Sequence, residues 1–160
     1  MQRGTSRVLL LATMVLSLAI SATALAGRTA SPAPTVIKVA FNKTLKRTIV
    51  VDGKGRSVYM FVLDTRGKAT CVPEWEEHPS CHRVWSPVRG IPRAGAGIDE
   101  SKLGTTTRSD GMQVTYNGYP LYYFKGGGYG DPDRKPGNLN GQGFYQMFYA
   151  LSPKGTPIRK

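Results

Sequence analysis

Two cysteines and two histidines lie close together in the chain, and they offer the first chemistry that the sequence suggests. Cys71 and Cys81 are its only cysteines, and His78 and His82 flank the second of them. In an oxidising compartment, two cysteines at this spacing usually form a disulfide. Closing so short a loop stabilises a fold by about 3 kcal/mol if the effect is the lost entropy of the unfolded chain.

The same four residues could instead offer two thiolates and two imidazoles to a zinc or copper ion. Their spacing matches no standard zinc pattern, however, and the two-cysteine haem attachment signature is absent. The sequence therefore favours the disulfide and predicts no cofactor. The cluster leaves one alternative function open, that of a redox or metal-linked protein of the cell envelope.

Other residue types that could act in catalysis lack a recognisable context. Asp64 ends the segment YMFVLD and could bind a cation or act as a general base, but aspartate at such a position more often caps a turn. Glu74, Glu76 and Glu77 form an acidic loop, and the sequence does not show whether two carboxylates pair as glycoside cleavage requires. No serine has the flanking residues of a nucleophile elbow. We therefore expect a protein that is not an enzyme.

The amino-terminal segment has the pattern of a secretory signal. Arg3 and Arg7 precede the apolar run Val8–Ala26, which ends in small residues that signal peptidase accepts. Cleavage after Ala26 would release a secreted or periplasmic protein. An uncleaved membrane anchor is the alternative, because a run of about 19 apolar residues can just span a bilayer. Residues 27–35 are rich in Ser, Pro and Ala, which is typical of a flexible tether.

The chain is strongly basic, with a net charge of +12. Removal of the signal would leave twenty basic and ten acidic residues, a net charge of +10. A charge of this size predicts attraction to polyanions, and after export the candidate partners are an anionic cell-wall polymer or lipid headgroups. Nucleic acid is not favoured, because no nucleic-acid-binding motif is present. The alternative is a surface whose charge serves only solubility.

The rest of the chain predicts an all-β fold. Runs of alternating apolar and polar residues cover 35–42 and 104–124, and Asp-Gly and Asn-Gly turns divide the second run. The segment DGKG at 52–55 predicts a hairpin turn between two more β-rich runs. VWSPV at 84–88 predicts a short strand, and an aromatic run near the carboxyl terminus predicts the last one. We expect a single compact antiparallel β domain over residues 36–160.

The aromatic strands of this domain occur twice. A shift of 63 residues superimposes Val58–Phe61 on Leu121–Phe124 and places Trp85 on Phe148. The sequence therefore predicts an internal repeat with pseudo-two-fold symmetry, with one copy over about 45–90 and the other over about 104–155. Because large rings bury the most area per residue, we expect these aromatic residues to meet in a shared core.

These stretches resemble the bacterial secreted repeat of unknown function, a family of predicted lipoproteins that carry a Tyr-x-aromatic-x-x-Asp motif. The similarity extends over about residues 45–155. It rests on DGKGRSVYMFVLD, the two cysteines followed by VWSPV, GTTTRSDGMQVTYNGYPLYYF and GNLNGQGFYQMFYALSPKG. By this resemblance, the motif residues are Tyr59, Phe61, Asp64, Trp85, Tyr122 and Phe124.

The second copy of the motif departs from the family pattern. Gly127 stands where strict spacing would place the second acid, and either Asp131 or Asp133 could replace it after a glycine insertion. No cysteine follows the signal, so we do not expect a lipidated amino terminus. The resemblance implies export and a repeated fold, and it implies no activity.

Overall fold

The computed structural model describes residues 34–73 and 81–159. The predicted signal peptide (1–26), His78 and the acidic loop lie outside these ranges, and cleavage of the signal stays a prediction. The first strand begins at Thr35, the last residue of the predicted tether. Within the described ranges, no helix combines the length and the apolar composition that crossing a membrane requires.

The described residues form a domain that is mostly β-strand, as the sequence predicts. The strands are β1 (Thr35–Asn42), β2 (Arg47–Asp52), β3 (Tyr59–Phe61), β4 (Trp85–Pro87), β5 (Pro92–Ala94), β6 (Leu103–Arg108), β7 (Gly111–Tyr116), β8 (Tyr119–Pro120), β9 (Tyr122–Phe124) and β10 (Phe148–Ala150). One short helix, α1 (Cys81–Val84), and one 3₁₀ turn (Glu100–Lys102) accompany them.

These strands make three small sheets with the orders β2-β1-β5, β10-β3-β9-β4 and β6-β7-β8. The named strands pair antiparallel, as predicted, except that β1 runs parallel to β5. The sequence did not predict this pair, because β5 lies in a segment rich in glycine and proline that is typical of a loop.

The predicted turn at DGKG is present, but it does not join two fully paired strands. Asp52 and Arg56 are linked across it by a backbone hydrogen bond of 2.9 Å, and beyond it β2 meets the next segment only through a bridge between Val51 and Ser57. β2 pairs instead along its whole length with β1, and β3 joins the central sheet. The prediction of the turn is confirmed. The prediction of a hairpin between the two flanking runs is wrong, because β2 and β3 do not pair with each other beyond this bridge.

The central sheet is arranged alike on its two sides. β3 and β9 lie next to each other in the middle, β10 flanks β3, and β4 flanks β9. Phe148 lies opposite Phe61 on one side, and Trp85 lies opposite Phe124 on the other. Each residue of one pair is 63 positions from its counterpart in the other pair. This spacing supports the predicted internal repeat, which stays a prediction.

Two apolar clusters make up the core. The first contains Ile49, Val51, Tyr59, Phe61, Cys71, Cys81, Val84, Trp85, Tyr122, Phe124, Phe148, Ala150 and Ile158. The second contains Ile37, Val50, Val58, Met60, Val88, Val114, Tyr116, Leu121 and Leu151. Successive residues of β2 and β3 alternate between the clusters, because side chains of a strand point to opposite faces in turn. The central strands are therefore buried on both faces.

The predicted disulfide is confirmed. Cys71 and Cys81 are bonded, with a Cα–Cα distance of 5.6 Å, and both are buried in the first cluster. The bond fastens the segment after β3 to α1, which leads directly into β4. It therefore ties two neighbouring parts of the first predicted copy together beneath the aromatic residues.

Candidate functional site

The motif tyrosine of the second copy bonds to the motif acid of the first. Tyr122 Oη donates a hydrogen bond of 2.8 Å to Asp64 Oδ2, and both residues are buried. Asp64 Oδ1 accepts from the backbone N–H of Thr70 at 2.7 Å and from its hydroxyl at 2.8 Å. Asp64 therefore closes the 64–70 turn, the role expected of an aspartate there, and also holds Tyr122.

The motif tyrosine of the first copy makes the corresponding bond in the other direction. Tyr59 Oη donates to Asp133 Oδ2, and Asp133 Oδ1 accepts from the backbone N–H of Asn140 at 2.9 Å. Asp133 is buried, whereas Asp131 is exposed. Of the two residues that could stand in for the missing acid, Asp133 is therefore the one that meets a motif tyrosine.

The two motif tyrosines also face each other, because Tyr59 of β3 lies opposite Tyr122 of β9. Burial, with a smaller effect of the neighbouring carboxylates, raises the pKa of both phenols well above the ordinary value of 10. Both therefore remain hydrogen-bond donors at neutral pH. These side chains are buried and fully engaged with one another, so the arrangement is a reciprocal brace between the two predicted copies. We call it the tyrosine–acid brace.

The other aromatic motif residues stack beside this brace. The rings of Trp85 and Phe148 are parallel, with centroids 3.8 Å apart, and Phe61 stacks on the other side of Phe148 at 4.3 Å. Phe124 packs against Trp85 at 5.0 Å, and Tyr59 meets Trp85 edge-on at 5.3 Å. The structure therefore places the aromatic residues of both motif copies in one core cluster, where their contacts are with one another.

A buried arginine links the brace to the disulfide. The Arg108 side chain, 1% exposed, donates from Nε to Asp110 Oδ1 at 2.7 Å. Its Nη1 donates to the backbone carbonyl of Cys71 at 3.0 Å and to Gln113 Oε1 at 2.9 Å. The guanidinium also opposes the effect of burial on the pKa of Asp64, which is nevertheless raised to about 6. The Arg108 guanidinium thus bonds to the backbone at Cys71 and to side chains of the β6–β7 hairpin, and it lies near enough to Asp64 to affect its pKa.

The cysteine and histidine cluster is only partly described. The disulfide commits both sulfurs, so they are not available as thiolates while the bond is intact. His78 lies outside the described residues, and the buried His82 Nδ1 has no hydrogen-bond partner within them. Among residues 34–73 and 81–159, no three His, Cys, Asp or Glu side chains are grouped to hold a metal ion. The metal hypothesis gains no support from this geometry.

Two hollows are each lined in part by residues of the segment 134–138, and basic side chains border both. One, of about 280 Å³, lies over β1 and β2 and is lined by Lys38 and Lys54. The other, of about 600 Å³, is lined by Arg134 and Lys135, with Asp131 as its one acidic residue. Ser57 Oγ fixes the segment by donating to the carbonyl of Asn138 at 2.6 Å. We call these hollows together the basic groove.

Three contributors to this geometry were not predictable as such from the sequence. Arg108 stands next to a turn, where a charged residue is usually solvated, and nothing local indicates that it is buried. The sequence left Asp131 and Asp133 open as the second acid, and only the fold shows that Asp133 is the one that meets Tyr59. Lys38 and Arg134 are distant in sequence, and only the tertiary fold brings their hollows to one segment. The predicted duplication was the one available signal, because a second copy of the motif implies a second acid.

The comparisons with known proteins concern the second predicted copy. No curated protein and no solved structure shows significant similarity to the chain. The model of one family matches residues 104–147, which run from β6 to the residue before β10 and include Tyr122 and Asp133. Over these residues the chain is therefore similar to the family described as a secreted repeat of unknown function, which confirms the predicted resemblance and the predicted export.

Proposed function

We propose that the chain is an exported, non-catalytic module that binds an anionic cell-wall polymer through its basic surface. The observation that carries this proposal is an asymmetry between its charges. Five of the seven acidic side chains of the described residues are engaged within the fold, whereas most of the basic side chains are exposed and outside ion pairs. An exported protein built in this way presents a positive field to any polyanion outside the cell.

The acidic side chains are engaged in two ways, by burial and by ion pairing. Asp64 and Asp133 are buried in the tyrosine–acid brace. Asp52, Asp99 and Asp110 form ion pairs with nearby basic residues at 3.2, 3.1 and 2.7 Å. Within residues 34–73 and 81–159, the acids outside these contacts are Glu100 and Asp131.

The bases are distributed in the opposite way. Arg56, Arg89, Lys102 and Arg108 form the ion pairs of the described residues. The basic residues of those ranges outside ion pairs are Lys38, Lys43, Lys46, Arg47, Lys54, Arg66, Lys68, Arg83, Arg93, Lys125, Arg134, Lys135, Lys154 and Arg159. With the exception of the half-buried Lys38, these side chains are exposed. The outer surface is therefore more basic than the net charge alone suggests.

The basic groove is the best place on this surface for a polymer chain. It gathers four of these cations around one anchored segment, and its hollows could admit successive anionic groups of an extended polymer. Lipid headgroups fit less well, because Phe41, 65% exposed, is the one large exposed apolar residue among the described residues that line the two hollows. A polymer therefore explains the groove better than a membrane surface does.

Neutralising the groove should release the protein from a polyanion. In the variant Lys38→Gln, Lys54→Gln, Arg134→Gln, Lys135→Gln, we expect affinity for immobilised polyphosphate to fall about tenfold at 150 mM salt. Four solvent-accessible ion contacts at roughly 0.3 to 0.4 kcal/mol each account for this loss. Retention of the unaltered protein should itself fall steeply as the salt concentration rises, because salt screens exposed charges.

A control with the same net charge separates the groove from the surface as a whole. The matched control variant replaces Arg66, Lys68, Arg93 and Lys154 by Gln. We expect it to keep most of its affinity. Equal losses of affinity in the two variants would show that the polymer binds the basic surface as a whole and not the groove. Retention that is absent or insensitive to salt would refute the proposal. Binding to vesicles of anionic lipid with no binding to polyphosphate would refute the choice of a polymer.

A further inference from the structure

The glycine-rich segment after β9 carries a small aromatic surface that the basic groove does not use. Tyr145 is 69% exposed and Tyr129 is 53% exposed, although large aromatic side chains are usually well buried. Their ring centroids lie 6.3 Å apart at an angle of 75°. Two exposed rings therefore meet edge to face at the surface of the domain.

Both rings rest on one residue that is anchored in the core. The ring of Phe144 meets Tyr145 at 4.6 Å and Tyr129 at 5.6 Å. On its inner side Phe144 contacts Trp85 at 5.7 Å and Phe124 at 5.6 Å. The exposed pair is therefore held by a continuous series of ring contacts that begins in the motif cluster. Rings held in this way lose little conformational freedom when a ligand binds.

The backbone keeps a tyrosine at a position that favours glycine. Tyr145 and Gln146 have φ angles of 48° and 58°, in the left-handed region that side chains disfavour. At thirteen other positions with positive φ, the described residues are glycine, which adopts this conformation without strain. Tyr145 thus places a large ring at a backbone position that is both strained and exposed, which indicates a role for the ring itself.

We infer that Tyr129 and Tyr145 form a stacking platform for the sugar rings of an acidic cell-wall polysaccharide. The flat C–H face of a pyranose ring can lie on an exposed phenol ring, and the phenolic hydroxyls and the exposed Gln146 amide can bond sugar hydroxyls. The surplus of exposed cations complements the acidic groups of such a polymer. This inference rests on the proposed function and narrows its ligand to a glycan.

Two polyanions distinguish binding by ring stacking from binding by charge alone. Polygalacturonate carries carboxylates on pyranose rings, whereas polyphosphate has no sugar. The variant Tyr129→Ala, Tyr145→Ala should bind polygalacturonate about tenfold more weakly than the unaltered protein does, as expected for the loss of two ring contacts. Its affinity for polyphosphate should not change. Both affinities are measured by titration calorimetry at 150 mM salt, after circular dichroism has shown that the variant is folded.

Two further variants serve as controls. Tyr129→Phe, Tyr145→Phe keeps the rings and should retain most of the affinity for polygalacturonate. Met112→Ala removes an apolar side chain that is 53% exposed and lies outside the platform, and it should change nothing. If the double alanine variant binds polygalacturonate normally, or loses both polymers equally, the stacking platform is refuted while salt-dependent binding to polyphosphate can still stand. If the unaltered protein binds neither polymer, the proposed function fails as well.

Discussion

Replacing Arg108 by methionine should lower the free energy of unfolding by about 2 to 6 kcal/mol, because two buried acceptors would each lose a hydrogen bond at a cost of about 1 to 3 kcal/mol. Methionine fills much of the space of the arginine stem but donates no hydrogen bonds. The carbonyl of Cys71 and the side chain of Gln113 would lose their donor inside the core. Asp64 would lose the nearby positive charge that favours its ionised form. Urea denaturation at pH 7 measures the loss.

Arg89 provides a matched control for this prediction, because it pairs with the same acid. Arg89 Nη2 lies 2.7 Å from Asp110 Oδ2, but its side chain is 37% exposed. Solvent screens such a pair, so Arg89→Met should cost about 1 kcal/mol or less. Arg108→Lys should not restore full stability, since an ammonium cannot reproduce the fixed fork of donors. An Arg108→Met variant as stable as Arg89→Met would show that the buried network does not carry this part of the fold.

Replacing Asp64 by asparagine should remove a specific pH dependence of stability. Burial raises the pKa of Asp64 to about 6 from 3.8, so the fold disfavours its ionised form. A raised pKa in the folded state means that this contribution to stability is complete below about pH 4 and is lost as the pH rises through 6. The difference in pKa corresponds to about 3 kcal/mol between pH 4 and pH 8. Asparagine does not titrate and can still accept from Thr70.

The comparison is between two stability profiles over pH 4 to 8, each from urea denaturation. The unaltered protein should gain about 3 kcal/mol relative to Asp64→Asn as the pH falls. Histidine titration contributes to both proteins and cancels in the difference. Asp131→Asn, which changes an exposed acid of the described residues, should follow the profile of the unaltered protein. Parallel profiles for Asp64→Asn and the unaltered protein would contradict the burial of an ionisable Asp64.

Local patterns in the sequence predicted much of the fold. The alternation of apolar and polar residues located β1, β6 and β7, and the spacing of the cysteines predicted the disulfide, because both properties depend on neighbouring residues alone. The same patterns could not predict that β1 pairs with β5. Alternation specifies which face of a strand is buried, and it says nothing about which strand lies beside it.

The candidate sites were less predictable for the same reason. The motif residues were assigned by the family resemblance, but the sequence does not show that each tyrosine bonds to the acid of the other predicted copy. That exchange depends on β3 and β9 being neighbours and on how the glycine-rich segment folds back to place Asp133. The basic groove and the stacking platform also depend on tertiary contacts, of Asn42 with Gly137 and of Phe144 with Trp85.

The central claim is that the family motif stabilises the fold and leaves binding to the basic surface. The most direct test is the variant Tyr59→Phe, Tyr122→Phe, with both stability and polyphosphate affinity measured. We predict that its free energy of unfolding falls by about 2 kcal/mol, as expected for the loss of two buried hydrogen bonds, while its affinity is unchanged. Unchanged stability with lost affinity would contradict this claim and would make the motif itself the binding site.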